Sequence, residues 1–133
     1  MTNADVQAWL DRYIEAWRTY DPGQIAALFS DNVEYRYHPW DDPVRGREAV
    51  VRSWTAPVGD ASGRDEPGTY DAHYEPYAVD GDRAVAVGRS TYLERPGGPI
   101  REIYDNCFLL RFDPDGRCAS FTEFFVRRPR DAG

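Results

Sequence analysis

Three tight turns divide the second half of the chain into four strand-like stretches, at residues 70–79, 83–94, 100–112 and 118–127. The turns read Asp-Gly-Asp, Pro-Gly-Gly-Pro and Asp-Pro-Asp-Gly, and each is rich in the residues that favour reversal of the backbone. Because connections this short join neighbouring antiparallel strands, the pattern predicts an antiparallel meander over residues 70–127.

The first half of the chain has helical periodicity instead. Apolar residues recur every three or four positions over residues 5–20, which predicts a helix capped by Asn3 or Asp5. A short helix over 24–29 is expected to follow the cap Asp21, and a third helix spans 47–55. Alternation over 33–38 predicts a strand, and residues 57–68 read as a loop. Helices first and strands later predict an α+β domain with helices on one face of a curved antiparallel sheet.

Composition excludes several classes of function. The 133 residues suit a single domain over 1–133, and no apolar run approaches the roughly 20 residues of a membrane span. The net charge of −7 disfavours a nucleic-acid partner, and the absence of lysine excludes a lysine Schiff base and a P-loop lysine. With two histidines, two cysteines and no glycine-rich phosphate loop, we expect no bound metal, nucleotide or flavin. The unpaired cysteines and the start of the chain, which lacks an export signal, predict cytoplasmic residence.

The last turn predicts how its two strands face each other. If Pro114 and Asp115 form the loop, Asn106 lies opposite Glu123. The same register pairs Phe108 with Phe121 and Tyr104 with Phe125, on the same face of the sheet. A bulge at Gly116 shifts this pairing by one residue, and the sequence leaves that alternative open.

A carboxylate among aromatic side chains loses solvation, which raises its pKa and suits it to proton transfer. Glu123 is therefore a candidate general acid or base, with Asn106 as its neighbour. The alternative is a buried glutamate held by Asn106 or by the Tyr13 hydroxyl that performs no chemistry.

The order of elements and several short motifs resemble the nuclear transport factor 2-like superfamily, and within it the SnoaL-like group. The motifs are Asp-Arg-Tyr-Ile at 11–14, Ala-Ala-Leu-Phe-Ser-Asp at 26–31, Arg-Gly-Arg-Glu-Ala-Val at 45–50 and Tyr-Asp-Asn at 104–106. The resemblance implies a cone-shaped barrel, in which a strongly bent sheet wraps over three helices and leaves a pocket at its open end. The superfamily includes isomerases, cyclases, dehydratases, epoxide hydrolases and transport factors, so the resemblance specifies the fold better than the reaction.

Residue by residue, the resemblance implies that the chain has some of the functional residues of these enzymes and lacks others. Arg12-Tyr13 matches the pair that carries the oxyanion-binding tyrosine of ketosteroid isomerases. Their two acids fall at Tyr37 and near Phe108, so both acids are missing here. Glu123 follows Gly116 by seven residues, the spacing of an acidic residue on the last strand of SnoaL-like cyclases and limonene-epoxide hydrolases.

The remaining candidates are aromatic residues and histidines. Aromatic side chains of the predicted pocket wall, which equally suit a filled core, are Trp17, Tyr35, Tyr37, Trp40, Trp54, Tyr104, Phe108, Phe121 and Phe125. Trp40 lies in a Pro-flanked loop, where a tryptophan often covers a cavity. His38 is expected to point outward as an exposed strand-end residue, and His73 to form a solvated pair with Glu75.

These observations predict a domain that binds a small apolar organic molecule and transforms it by cofactor-independent acid–base chemistry. Glu123 moves the proton, Asn106 orients it or the substrate, and Tyr13 donates a hydrogen bond to a developing oxyanion. The alternative is a non-catalytic binding or dimerisation module. The outer face of the last hairpin carries Leu109, Phe124 and Val126, which predicts a homodimer through the sheet. Neither the ligand nor the reaction type follows from the sequence.

Overall fold

The computed structural model of the chain describes residues 1–57 and 63–130. Within these residues the chain forms three helices and six strands. In chain order they are α1 (Asn3–Thr19), α2 (Pro22–Leu28), β1 (Phe29–Arg36), β2 (Val44–Arg45), α3 (Arg47–Trp54), β3 (Tyr70–Asp80), β4 (Arg83–Leu93), β5 (Ile100–Phe112) and β6 (Cys118–Arg127).

The six strands form one sheet in the order β2-β1-β6-β5-β4-β3. The predicted meander of β3 to β6 is confirmed, because each of these strands pairs antiparallel with the next along the chain. The sheet as a whole is mixed, since β1 pairs with β6 in parallel. Parallel neighbours need a long crossover, and α3 together with the rest of the meander supplies it here. The three helices pack on this sheet, which confirms the α+β class and agrees with a cone that is not closed.

Local signals fix the ends of the helices. Thr2 caps α1, and its side chain and that of Asp5 form a reciprocal capping box, so the expectation of Asn3 or Asp5 as the cap was wrong. The cap on α2 is Asp21, as predicted, with Pro22 in the first turn. Trp9 of α1 is fully buried and donates from its indole nitrogen to the Leu28 carbonyl at 3.0 Å. This bond ties the two helices together over the core.

The register of the β5–β6 hairpin differs from the prediction by two residues. Three residues rather than two form its loop, because the Asp113 amide donates to the Arg117 carbonyl at 2.8 Å and Gly116 has a φ of 86°. A bulge at Ala119 adds a second offset of one residue, so Glu123 faces Phe108 and Phe125 faces Asn106. A shift of one residue reverses which side of a sheet a side chain occupies, whereas a shift of two preserves it. Asn106 and Glu123 therefore share a face, as predicted, but as diagonal neighbours.

Two sequence expectations concern other parts of the chain. Residues 58–62 of the predicted loop lie outside the described residues. In the part of the chain that the structure describes, no helix is long and apolar enough to cross a membrane.

Candidate functional site

A cavity of about 730 Å³ opens between the helices and the sheet. Its wall includes residues from α1, α3 and all six strands, so the tertiary fold assembles it from distant parts of the chain. Aromatic side chains are the largest group in the lining, and carboxylate, guanidinium, amide and hydroxyl groups are set among them. Aromatic rings with polar groups between them suit a small organic molecule that carries polar atoms.

A chain of three polar side chains crosses the sheet at the cavity wall. The Ser90 hydroxyl on β4 donates to Asn106 Oδ1 at 3.0 Å, and Asn106 Nδ2 donates to Glu123 Oε2 at 3.0 Å. Ser90 and Asn106 are buried. Because Ser90 occupies the acceptor side of the amide, Asn106 is held with its donor side toward the carboxylate.

Glu123 lines the cavity and is partly buried, with some of its side-chain surface exposed to the cavity. Desolvation by burial raises its pKa from 4.5 to about 7, although the Asn106 hydrogen bond and the charge of His38 both lower it. A carboxyl with a pKa near 7 exchanges protons in both directions at neutral pH. The predicted burial and raised pKa of this residue therefore have a physical basis in the structure.

Several tyrosine hydroxyls lie close enough to this carboxylate for its charge to affect them. The Tyr13 hydroxyl lies 3.5 Å from that of Tyr35, and both rings are buried. Desolvation raises the pKa of both phenols well above the ordinary value, and the negative charge of Glu123 raises it further. Desolvation by burial likewise raises the pKa of Tyr74, and the same carboxylate raises it further. These hydroxyls stay protonated and keep hydrogen atoms that they can donate to a ligand.

The structure divides the predicted pocket wall into two groups. Six of the nine aromatic candidates line the cavity, namely Trp17, Tyr35, Tyr37, Trp54, Tyr104 and Phe125. Phe108 and Phe121 do not line it, because they lie in the packed core behind it with their ring centroids 4.9 Å apart. Phe121 also stacks on Tyr13, so these two rings support the site from behind.

Trp40 is also outside the cavity lining, with 79% of its surface exposed. Its ring stacks on His38 at a centroid distance of 4.9 Å. His38 itself lines the cavity, so the expected outward direction was wrong, although 37% of its side chain stays exposed. Strand β1 ends at Arg36, and the turn that follows breaks the alternation on which that expectation rested. His73 and Glu75 are both exposed, as expected.

Sequence reasoning missed several other polar groups of the site. Asp41 lines the cavity and lies 2.8 Å from His38, a contact that its position three residues further along a Pro-flanked turn could have signalled. Asp65 accepts hydrogen bonds from Trp17 at 3.1 Å and Tyr20 at 3.4 Å, and desolvation raises its pKa. Such long-range contacts leave no local signal in a sequence. Among residues 1–57 and 63–130, no group of three or more His, Cys, Asp or Glu side chains is placed to hold a metal ion.

Comparisons with known proteins place this architecture. The 268 matching chains of solved structures include a candidate ketosteroid isomerase from Kribbella flavida. It is 17% identical, with a TM-score of 0.66 over 98% of this chain and 84% of that chain. This likeness shows the fold and not the activity. No curated protein matches the chain.

The family model of the SnoaL-like domain matches residues 10–121, which include Tyr13 and Asn106 and end two residues before Glu123. The chain therefore belongs to the SnoaL-like domain family of the nuclear transport factor 2-like superfamily.

Proposed function

We propose that this domain binds a small hydrophobic organic molecule in the cavity and transforms it by acid–base chemistry without a cofactor. The observation that carries the proposal is the carboxyl of Glu123, which has a pKa of about 7 at the wall of an aromatic cavity of about 730 Å³. A carboxylate in such a place is a stronger base than one in water, because its charged form is poorly solvated.

Each polar group of the wall has a role in this proposal. Glu123 removes or returns a proton on a carbon of the substrate, and Asn106 fixes the orientation of the carboxylate through its 3.0 Å hydrogen bond. Tyr13 donates a hydrogen bond to the oxygen on which negative charge develops. Isomerisation, cyclisation, dehydration and epoxide opening each include a proton transfer to a base of this kind. The likeness to a candidate ketosteroid isomerase does not extend to the two acids of that chemistry, since Tyr37 and Phe108 stand where the sequence resemblance places them.

Deprotonation of nitrobenzisoxazole tests the central role of Glu123. This apolar aromatic compound opens when a base removes one carbon-bound proton, and the nitrophenolate product absorbs visible light. We expect the wild-type protein to open it at a rate that rises with pH through about 7, as the carboxylate forms. Glu123→Gln is expected to lose about a hundredfold or more of this rate, the usual contribution of one general base.

Glu75→Gln is the matched control, because Glu75 is an exposed carboxylate on the same sheet. Its rate should equal that of the wild type. Equal rates for wild type and Glu123→Gln would reject the catalytic role. If the cavity then still binds apolar aromatic compounds in a fluorescence titration, the domain is a binding module.

We further propose that the domain forms a homodimer through the outer face of β5 and β6. Leu109, Phe124 and Val126 are exposed there, and Val126 exposes 70% of its surface. A contiguous apolar patch on a small acidic domain favours a partner with the same patch, which a two-fold axis provides. A specific dimer of this kind buries on the order of 1,200–2,000 Å². Asp105 lies on the same face and accepts two hydrogen bonds from Arg128 of its own chain, at 2.8 and 2.9 Å.

Cytoplasmic residence is a further proposal. It is supported by the two cysteines, which remain free thiols in separate positions of the sheet. Cell fractionation with an antibody against the chain tests it, and recovery outside the cytoplasmic fraction would reject it.

A further inference from the structure

His38 and Asp41 form an acid–base pair at the cavity that the function proposed above does not use. His38 Nδ1 lies 2.8 Å from Asp41 Oδ2, and both residues line the cavity. A β-turn builds the pair, because the Asp41 amide donates to the His38 carbonyl at 3.1 Å. Arg36 fixes the same turn by donating from Nε to the Asp41 carbonyl at 3.2 Å. The local backbone therefore holds the two side chains together before any ligand arrives.

The partner of Nδ1 determines which nitrogen of His38 is available for chemistry. An ionised carboxylate only accepts hydrogen bonds, so Nδ1 carries the proton and donates it toward Asp41. Nε2, on the other side of the ring, is then the nitrogen that gains or loses a proton. No hydrogen bond to Nε2 occurs among the described residues. The pair thus has the arrangement in which a carboxylate orients an imidazole and fixes its tautomer.

Two aromatic rings fix the position of the imidazole relative to Glu123. Trp40 stacks on it at 4.9 Å with an interplanar angle of 15°, and Phe125 lies against it at 5.5 Å. Phe125 follows Glu123 by two residues on β6, so the two side chains share a face about 7 Å apart along the strand. A small substrate can therefore contact His38 and Glu123 together. Trp40, exposed in its loop, covers one face of the imidazole.

We propose that His38, oriented by Asp41, is a second proton-transfer residue, which makes this site suited to eliminating water from a β-hydroxy carbonyl compound. The proposal rests on the function proposed above, because it adds an acid to the base already assigned. The base alone supports reactions with a good leaving group. Hydroxide is a poor leaving group, so its departure needs a proton from a second residue at a different place on the substrate.

The steps balance without any further reactant. The Glu123 carboxylate takes the proton from the carbon next to the carbonyl, and the electrons of that C–H bond form the enolate, whose oxygen Tyr13 holds. The enolate electrons then form the C=C bond while the C–O bond to the β-hydroxyl breaks. The His38 imidazolium gives its Nε2 proton to the departing oxygen, and water leaves. Proton transfer from Glu123 to His38 through the released water restores both groups.

Two probe reactions separate this role from that of Glu123. Nitrobenzisoxazole opening needs the base only, because its leaving oxygen is a stabilised nitrophenolate. Dehydration of the aldol adduct of acetone and p-nitrobenzaldehyde needs base and acid, and its conjugated enone product is quantified by chromatography. We expect His38→Gln to lower the second rate by about a hundredfold and to change the first by less than about threefold. His73→Gln, at an exposed position, should change neither.

Further variants distinguish proton transfer from a structural role. Imidazole in solution should restore dehydration to His38→Ala, because it fills the space left by the side chain. Asp41→Asn should lower kcat for dehydration with little change in KM, and Asp41→Glu should restore part of it. Equal losses of His38→Gln in both probe reactions, or failure of the wild type to dehydrate the adduct while it opens nitrobenzisoxazole, would overturn the proposal. Loss of the Glu123 effect on nitrobenzisoxazole would instead reject the function on which it rests.

Discussion

The raised pKa of Glu123 predicts a specific dependence of stability on pH. In the unfolded chain this carboxyl titrates near its ordinary pKa of 4.5, whereas in the folded protein its pKa is about 7. Between these two values the folded state holds a proton that the unfolded state has lost. The contribution of Glu123 to the free energy of unfolding therefore falls as pH rises through this window and is constant on either side of it. At about 1.4 kcal/mol per pH unit, the full difference is about 3 kcal/mol.

Glu123→Gln removes this titration while it keeps a carbonyl oxygen to accept the Asn106 hydrogen bond. Relative to wild type, the variant should gain up to about 3 kcal/mol in free energy of unfolding between pH 4.5 and pH 7. Urea unfolding at several pH values, followed by tryptophan fluorescence, measures this difference for each protein. Other titrating groups contribute equally to both proteins and cancel. A difference between the two proteins that stays constant from about pH 5 to about pH 8 would refute the reasoning, and Glu75→Gln should give that constant result.

Three further predictions concern the hydrogen bonds of Asn106, the packing of β3 on β4, and the dimer. Asn106→Ala should cost about 1–3 kcal/mol in free energy of unfolding, because it leaves buried polar groups without partners. It should also move the pH midpoint of nitrobenzisoxazole opening upward, because the Asn106 hydrogen bond lowers the pKa of Glu123. Gly88→Ala should cost about 1–3 kcal/mol or more in urea unfolding, because the added Cβ would lie 2.0 Å from the His73 carbonyl oxygen. Gly23→Ala is its control, because Gly23 lies in α2, where alanine favours the helix, and the added Cβ would meet only a side-chain atom at 3.4 Å. A similar loss of stability in Gly23→Ala would contradict the steric argument. In sedimentation, the wild-type protein should have a mass of about twice 15.2 kDa, and Val126→Arg should reduce it to 15.2 kDa without loss of thermal stability. A wild-type protein that sediments as a monomer would reject the dimer.

Most of the fold prediction rested on the residue types at turns and helix ends. The turn residues of the second half separate four strands, and β5 and β6 begin and end where the sequence places them. Asp21 and Pro22 set the start of α2 for reasons that lie within one turn of the chain. The sharing of one face by Asn106 and Glu123 also followed from the sequence. It survived an error in register because the two offsets, at the loop and at Ala119, add up to an even number of residues.

The tertiary structure decided which of the candidate residues meet. Phe108 and Phe121 share a face with Glu123, yet they lie in the core, while Tyr104 and Phe125 on the same strands line the cavity. Side-chain alternation gives the face of a strand but not the depth along it, which depends on where the helices cover the sheet. The parallel pairing of β1 with β6 likewise joins segments that no short turn connects.

His38 shows most clearly why a sequence is insufficient at such a site. Alternation along a strand predicts an outward side chain, and that reasoning holds only while the strand continues. Here β1 ends at Arg36, and a turn held by Asp41 directs the ring toward the cavity. The raised pKa of Glu123 arises in the same way, because desolvation depends on atoms contributed by all the surrounding elements together. The sequence by itself determined the three helices, the four strands of the meander and the face that Asn106 and Glu123 share. The pairing of β1, the cavity and its electrostatics exist only once distant segments pack around a common volume.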